Sequence, residues 1–322
     1  MSIEALDHYP AELDDLARQA DRSSFYQTSG WIESIAASFP HMRARCLVSR
    51  QGERVTGYLP YFSVRRGPFA ILNSMPFGTY GGPVTLGGDA AAGVLLEAYA
   101  RMARTIGVLE LSWTDFWNRT GGPAAKAERC ATRIIDLTAG FEAIWRNGFE
   151  KSKRRQVRKA EREGLTMVES VDENDIDAYY AIYGERIDGW GESSLYPKEL
   201  FERLLGNERR HARLFLVKQD DEVLGGHLNF YFKDTVIAWN GVTRRDNRGR
   251  QASTFLYSRL IEHACEHGFK RYNLGSSLGK ETLERYKASL GGEQHVYAHH
   301  RITSRAGRLA RFCRNLLSRN NR

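Results

Sequence analysis

Phe215–Phe232, FLVKQDDEVLGGHLNFYF, reads as two strands around an acidic turn. Phe215 and Val217 lead into Gln219-Asp220-Asp221, and Val223, Gly226, Leu228, Phe230 and Phe232 follow. Val, Phe and Tyr favour a pleated, half-buried strand, and Asp tolerates turn geometry. The pattern occurs once before, in CLVSRQGERVTGYLPYF at 46–62, which aligns without a gap at an offset of 169. Val48 then matches Val217, Gly57 matches Gly226, and Tyr61 matches Phe230. A second match, at a spacing of 161, links Val94–Gly107 plus LELSW to Phe255–Gly268 plus KRYNL. Two matches in the same order indicate an internal duplication, so the chain reads as two similar α/β domains.

The 322 residues suffice for two domains with a core each, and 42% hydrophobic with 27% charged residues is a globular composition. No apolar run is long enough to span a bilayer, and the N-terminal MSIEALDHYPAELDDL lacks a basic-then-apolar signal, so the expected location is the cytoplasm. Cys46, Cys130, Cys265 and Cys313 form no CxxC pair and read as reduced thiols, not as a disulfide framework or zinc site. The net charge of +8 is concentrated in two places. Lys151–Arg162 holds seven Lys or Arg and one acid, and Arg301–Arg322 holds seven Arg and no acid. Lys151, Arg155, Arg158 and Arg162 share one helix face. Such patches suit phosphates, RNA or an anionic membrane surface, although most charge runs are simply solvated faces.

Outside the hairpins the periodicity predicts helices at 11–20, 28–38, 90–106, 149–164, 173–188, 197–206, 252–267 and 280–289. Strands are expected at 69–75, 108–113, 132–137, 165–170, 234–241, 271–274 and 293–299. Leu309, Phe312 and Leu316 line one face of an Arg-rich C-terminal helix, which would dock on the second domain or touch the inner membrane surface. The Gly/Pro-dense stretch Met75–Val84 is a tightly specified loop around Tyr80, either a connector or a site-lining loop.

Three constellations bear on chemistry. VIAWNGV (236–242) runs into TRRDNRGRQAS (243–253) and then a helix, whose free N–H groups suit a phosphate. Arg244, Arg245, Arg248 and Arg250 add charge, and Gly249 is the loop's single glycine. GSSLG (275–279) satisfies G-x-S-x-G, but too little chain follows Ser277 to complete a hydrolase triad. His263 and His267 lie one turn apart without a third ligand, so no metal is expected.

FEKSKRRQVRKAEREGL (149–165), GGHLNFYF (225–232) and YNLGSSLG (272–279) followed by LERYKASLGGE (283–293) resemble the FemAB-like branch of the GNAT superfamily. That branch includes the aminoacyltransferases that build peptidoglycan interpeptide bridges, and the resemblance spans about residues 25–300. It implies an α/β (α+β) fold of tandem GNAT-like domains, each a mixed sheet flanked by helices. The expected boundaries are 1–140, 141–300 with the donor site, and a basic tail at 301–322. The implied reaction is transfer of an acyl or aminoacyl group from an activated donor to an amine. No cofactor would be tightly bound; acyl-CoA, or an aminoacyl-tRNA, would be co-substrate. The resemblance implies donor contacts at Arg245, Arg248, Gly249 and Arg250, where GNAT enzymes cradle the pyrophosphate of coenzyme A in a usually more Gly-rich loop. It places the family's aromatic–Lys pair on Tyr286 and Lys287, with Tyr where Phe is usual, and acceptor contacts at Tyr80 and Arg186. The coiled-coil arm of some bridge-forming relatives is absent from 165–215, which favours acyl-CoA over tRNA. The reading from another class is a non-catalytic module for an anionic glycan precursor or membrane surface.

Overall fold

The computed structural model describes residues 2–119, 123, 125–190, 196–206, 211–245 and 249–309. The chain divides into two compact units, Met1–Cys130 with Val296–Arg322, and Ala131–His295. The end of the last strand, from Val296, belongs to the first unit.

In the first unit β1 (Ser2–Leu6), α1 (Leu13–Gln19) and α2 (Ser29–Ser38) precede the hairpin β2 (Met42–Gln51) and β3 (Arg54–Arg66). β4 (Phe69–Ser74), the short β5 (Val84–Thr85), α3 (Gly88–Arg101) and β6 (Val108–Asp115) follow. β7 (Lys126–Asp136) leads into the second unit. There α4 (Phe141–Ala143), α5 (Lys151–Arg162), β8 (Leu165–Ser170), α6 (Glu173–Trp190) and α7 (Lys198–Leu205) precede the hairpin β9 (Ala212–Gln219) and β10 (Glu222–Phe232). β11 (Thr235–Thr243), α8 (Ala252–Glu266), β12 (Arg271–Ser276), α9 (Glu281–Ala288) and β13 (Glu293–Thr303) complete the chain. Residues 310–319 of the expected C-terminal helix, and Arg248, lie outside the described residues.

The two units repeat one topology, as the duplication requires. β1–β2–β3–β4 pair antiparallel in the first, and β8–β9–β10–β11 do so in the second. β4 then pairs parallel with β6, and β11 parallel with β12. A parallel pair needs a long crossover, which α3 and α8 supply. An antiparallel strand closes each sheet: the end of β13 on β6, and β7 on β12. β1 and the two-residue β5 are strands that periodicity missed; the five residues of β1 alternate too little to announce themselves.

The hairpins match at an offset of 168, not 169. Gln51 pairs with Arg54, and Gln219 with Glu222, around two-residue turns. The first turn residue is left-handed in both, with φ +61° at Gly52 and +50° at Asp220. The bulge repeats too, skipping Thr56 in β3 and Leu224 in β10. Apolar matching could not find this register, because Leu224–Phe232 is buried on both faces. A strand buried on both faces has no alternation to align.

In the second unit α8 buries Phe255, Leu256, Leu260, Ile261 and Ala264 among Phe215, Val217, Val236 and Tyr272. Leu260 has no exposed surface. Leu260→Ala should cost about 2–5 kcal/mol, read as a lower urea midpoint with an unchanged slope.

Candidate active site

β11 and β12 pair only over Thr235–Ile237 and Arg271–Asn273, although they continue to Thr243 and Ser276. The strands part there, and α8 begins on the far side of the loop that follows β11. Its N-cap, Gln251, is left-handed at φ +61°, where glycine would be cheaper. Its first N–H groups open on a cleft of about 230 Å³ lined by Arg186, Thr243, Arg244, Arg245 and Gln251–Thr254. Three guanidinium-bearing residues and a helix N-terminus make this wall attractive to an anion.

The loop residues divide. Arg245 lines the cleft and donates to the Glu185 carbonyl at 3.0 Å. Arg250 pairs with Glu222 at 2.7 Å. The Gly249 carbonyl accepts from Lys159 Nζ at 2.9 Å, which ties α5 to the loop. Arg186, read from the sequence as an acceptor contact, lines this same cleft. Tyr80 is 4% exposed in the first unit, its ring 4.2 Å from Phe116 and 5.5 Å from both Tyr26 and Tyr297. Its position is that of an aromatic core residue.

Tyr286 and Lys287 are successive residues of α9 whose side chains diverge. The Tyr286 hydroxyl is 3.2 Å from Ser253 Oγ and 3.5 Å from Thr254 Oγ1, both in the cleft wall. The Lys153 ammonium lies 4.6 Å from the Tyr286 ring centroid. Lys287 is 3% exposed and donates to the carbonyls of Gly275 at 2.8 Å and Ser276 at 2.9 Å, at the end of β12 beside the parted strands. Burial pulls its pKa down to about 8 against the opposing pull of Glu284. G-x-S-x-G is therefore a lysine-binding loop: left-handed Gly275, Leu278 and Gly279 turn it back, with φ +75°, +49° and +73°. Ser277 is buried, and among the described residues no histidine hydrogen-bonds its Oγ as a hydrolase would need.

Sequence reasoning missed the layer beneath this wall. His227 Nε2 is 3.0 Å from the Tyr257 hydroxyl, and Tyr257 packs edge-on against Tyr286 at 6.0 Å. Gln156 of α5 accepts from Thr254 at 3.2 Å. The only available signals were a histidine inside an apolar strand and Ser-Thr opening a helix. The rings of His263 and His267 stack at 4.0 Å. Among the described residues no group of three or more His, Cys, Asp or Glu could hold a metal ion.

In the first unit the equivalent strands do not part in the same way. β4 and β6 pair from Ala70–Val108 through Ser74–Trp113, to the end of β4. Asp89 occupies the first turn of α3 and pairs with Arg22, which puts negative charge where α8 has none.

Residues 148–288 match the family model described as the acetyltransferase (GNAT) domain, which covers α5 through α9. Over that stretch the chain is similar to the GNAT acetyltransferases. Its fold is similar to that of FemX, at 14% identity, with 92% of this chain and 97% of that chain covered and a TM-score of 0.70. It is also similar to the C-terminal domain of a putative lysylphosphatidylglycerol synthetase from Agrobacterium fabrum, at 16% identity, 94% coverage of both chains and a TM-score of 0.60. A tandem GNAT protein from the clavulanic acid biosynthesis pathway matches at 15% identity, over 94% of this chain and 98% of that chain, with a TM-score of 0.53. No curated protein matches the chain at a significant level. The FemAB-like tandem fold expected from the motifs is therefore the fold observed.

Lys287 makes a measurable link between pH and stability. Its folded pKa lies below the usual lysine value, so the unfolded chain binds more protons between the two. Stability relative to Lys287→Met should rise as pH rises from about 8 to 10.5, with a slope of up to about 1.4 kcal/mol per pH unit. Parallel denaturant titrations of the two proteins measure it; a flat difference would contradict the buried ammonium.

Proposed function

We propose that this protein is an N-acyltransferase that uses acyl-CoA as donor and acylates an amine on a cell-envelope or polysaccharide precursor, or on a small metabolite. The observation that carries this is the joining of the cationic α8 cleft to the Tyr286–Lys287 pair through Ser253 and Thr254. In this reading Arg245, with Arg186 and Arg244, holds the donor phosphates against the helix N-terminus, and Arg248, Gly249 and Arg250 complete the loop. The acyl chain enters between β11 and β12, and Lys287 stabilises the oxyanion formed when the amine attacks. Tyr80 stays assigned to the acceptor side only if substrate opens its aromatic cluster. The setting is cytoplasmic.

Charge on α5 favours a second reading. Lys151, Arg155 and Arg162 are exposed and make no ion pair among the described residues. An aminoacyl-tRNA could lie along that face, and a basic tail at 301–322 could touch the membrane. The RNA affinity would then fall steeply with salt.

Thermal stabilisation by acetyl-CoA, longer acyl-CoAs and a charged tRNA pool separates these readings, because a ligand of the folded state raises the melting temperature. A shift with an acyl-CoA is expected, and Arg245→Ala should reduce it. A shift with charged tRNA alone would move the assignment to aminoacyl transfer. Lys287→Ala should keep the shift and lose transfer by about 100-fold or more. Full transfer by a folded Lys287→Ala protein would leave only a binding module.

A further inference from the structure

His227 of β10 faces Gly241 of β11 across the hairpin. A Cβ at Gly241 would lie 2.3 Å from the imidazole Cδ2, so the ring crosses β11 where no side chain stands. His227 is 4% exposed, and its Nε2 lies 3.0 Å from the Tyr257 hydroxyl. Burial, with a smaller push from the Lys287 ammonium, lowers its pKa to about 4, so the ring is neutral near pH 7. A neutral imidazole has one donor nitrogen and one acceptor. Nδ1 is buried and meets no hydrogen-bond partner among the described residues. In the tautomer that carries its proton on Nδ1, Nε2 accepts from the Tyr257 O–H.

Tyr257 then has its proton committed inward and its oxygen lone pairs uncommitted. It stands one helical turn after Ser253, on the same face of α8. Ser253 lines the cleft, and Tyr286 bridges the two, with its hydroxyl on Ser253 and its ring against Tyr257. The Tyr257 phenol thus lies one turn behind the cleft-lining Ser253, against the ring of Tyr286, with its hydroxyl on His227.

We propose that Tyr257 is a catalytic hydrogen-bond acceptor for the attacking amine and that His227 is the residue that positions it. The inference rests on the acyl-transfer reading above and adds the group that receives the nucleophile. The Tyr257 oxygen accepts one amine N–H, which turns the nitrogen lone pair towards the acyl carbonyl. The C–N bond forms, the bond from the acyl carbon to the thioester sulfur breaks, and the proton lost by nitrogen ends on the departing thiolate. Tyr257 and His227 keep their own protons, so the products are the amide and the free thiol.

The test combines four variants with one spectroscopic measurement. Tyr257→Phe and His227→Phe should each lower kcat roughly 10- to 100-fold, the worth of one hydrogen bond to a reacting group, with donor KM within about twofold. The double variant should be no slower than either single, because both remove the same hydroxyl orientation. His227→Gln, which returns an acceptor near Nε2, should recover most of the rate. Additive losses, or an unchanged kcat in Tyr257→Phe, would overturn the proposal. ¹⁵N NMR of labelled imidazoles gives a readout independent of turnover. The resting protein should show His227 neutral with the proton on Nδ1, and Tyr257→Phe should shift Nε2. A proton on Nε2 would overturn the pairing. Failure of the acyl-transfer reading would be seen separately, as a wild-type protein whose melting temperature no acyl donor raises.

Discussion

An ammonium group buried at the end of β12 is the constraint on which the candidate site depends. Lys287 reaches the Gly275 and Ser276 carbonyls from the last turn of α9, and so holds the end of β12, beyond the residues that pair with β11. A buried charge is tolerated only when its donors are satisfied, and two carbonyls with a nearby carboxylate meet that need at the cost of a lowered pKa. The same α9 helix turns Tyr286 the other way, onto the first turn of α8. One short helix thereby joins the electrostatics of the parted strands to the cleft wall.

The two units show what a duplicated fold can do with one topology. In the second, β11 and β12 stop pairing after three residues, which leaves backbone groups near the cleft free of the ladder. In the first, β4 and β6 stay paired to the end of β4, and the space around Tyr80 is filled with aromatic rings. Asp115 and Arg119 form a buried ion pair there, and Arg119 also donates to the Arg22 and Pro83 carbonyls. This unit invests its polar groups in holding loops, whereas the second leaves several of its own facing an opening.

The arginines around α8 illustrate how weakly composition specifies a site. Of the loop cations, Arg250 is held by Glu222, and Arg154 of α5 caps the Trp145 and Arg146 carbonyls. Such arginines are structural, since each satisfies an acceptor that would otherwise be unpaired. Arg244 and Arg245, beside the helix N-terminus, also have partners, Glu222 and the Glu185 carbonyl, so it is their position in the cleft lining that sets them apart.

Much of the fold was legible in residue order. Strand-forming hairpins with turn residues, apolar spacing in α2 and α8, and the repeated helix–strand unit all arise from local preferences that the tertiary structure preserves. The motif around Tyr286 and Lys287 was legible for the same reason, as a contiguous string. The exact register of the repeat was not, because β10 is apolar on both faces and only the left-handed Asp220 and the bulge at Leu224 set it. Nor could the sequence divide the chain at Cys130, since the exchange of closing strands β7 and β13 depends on long-range pairing. His227 and Tyr257 lie thirty residues apart, and nothing local joins a histidine in a strand to a tyrosine in a helix. By itself the sequence determined the elements and the family motif, through short-range periodicity. The tertiary structure alone decided which side chains share a buried polar layer, because a hydrogen bond between distant elements exists only once their packing brings the groups within reach.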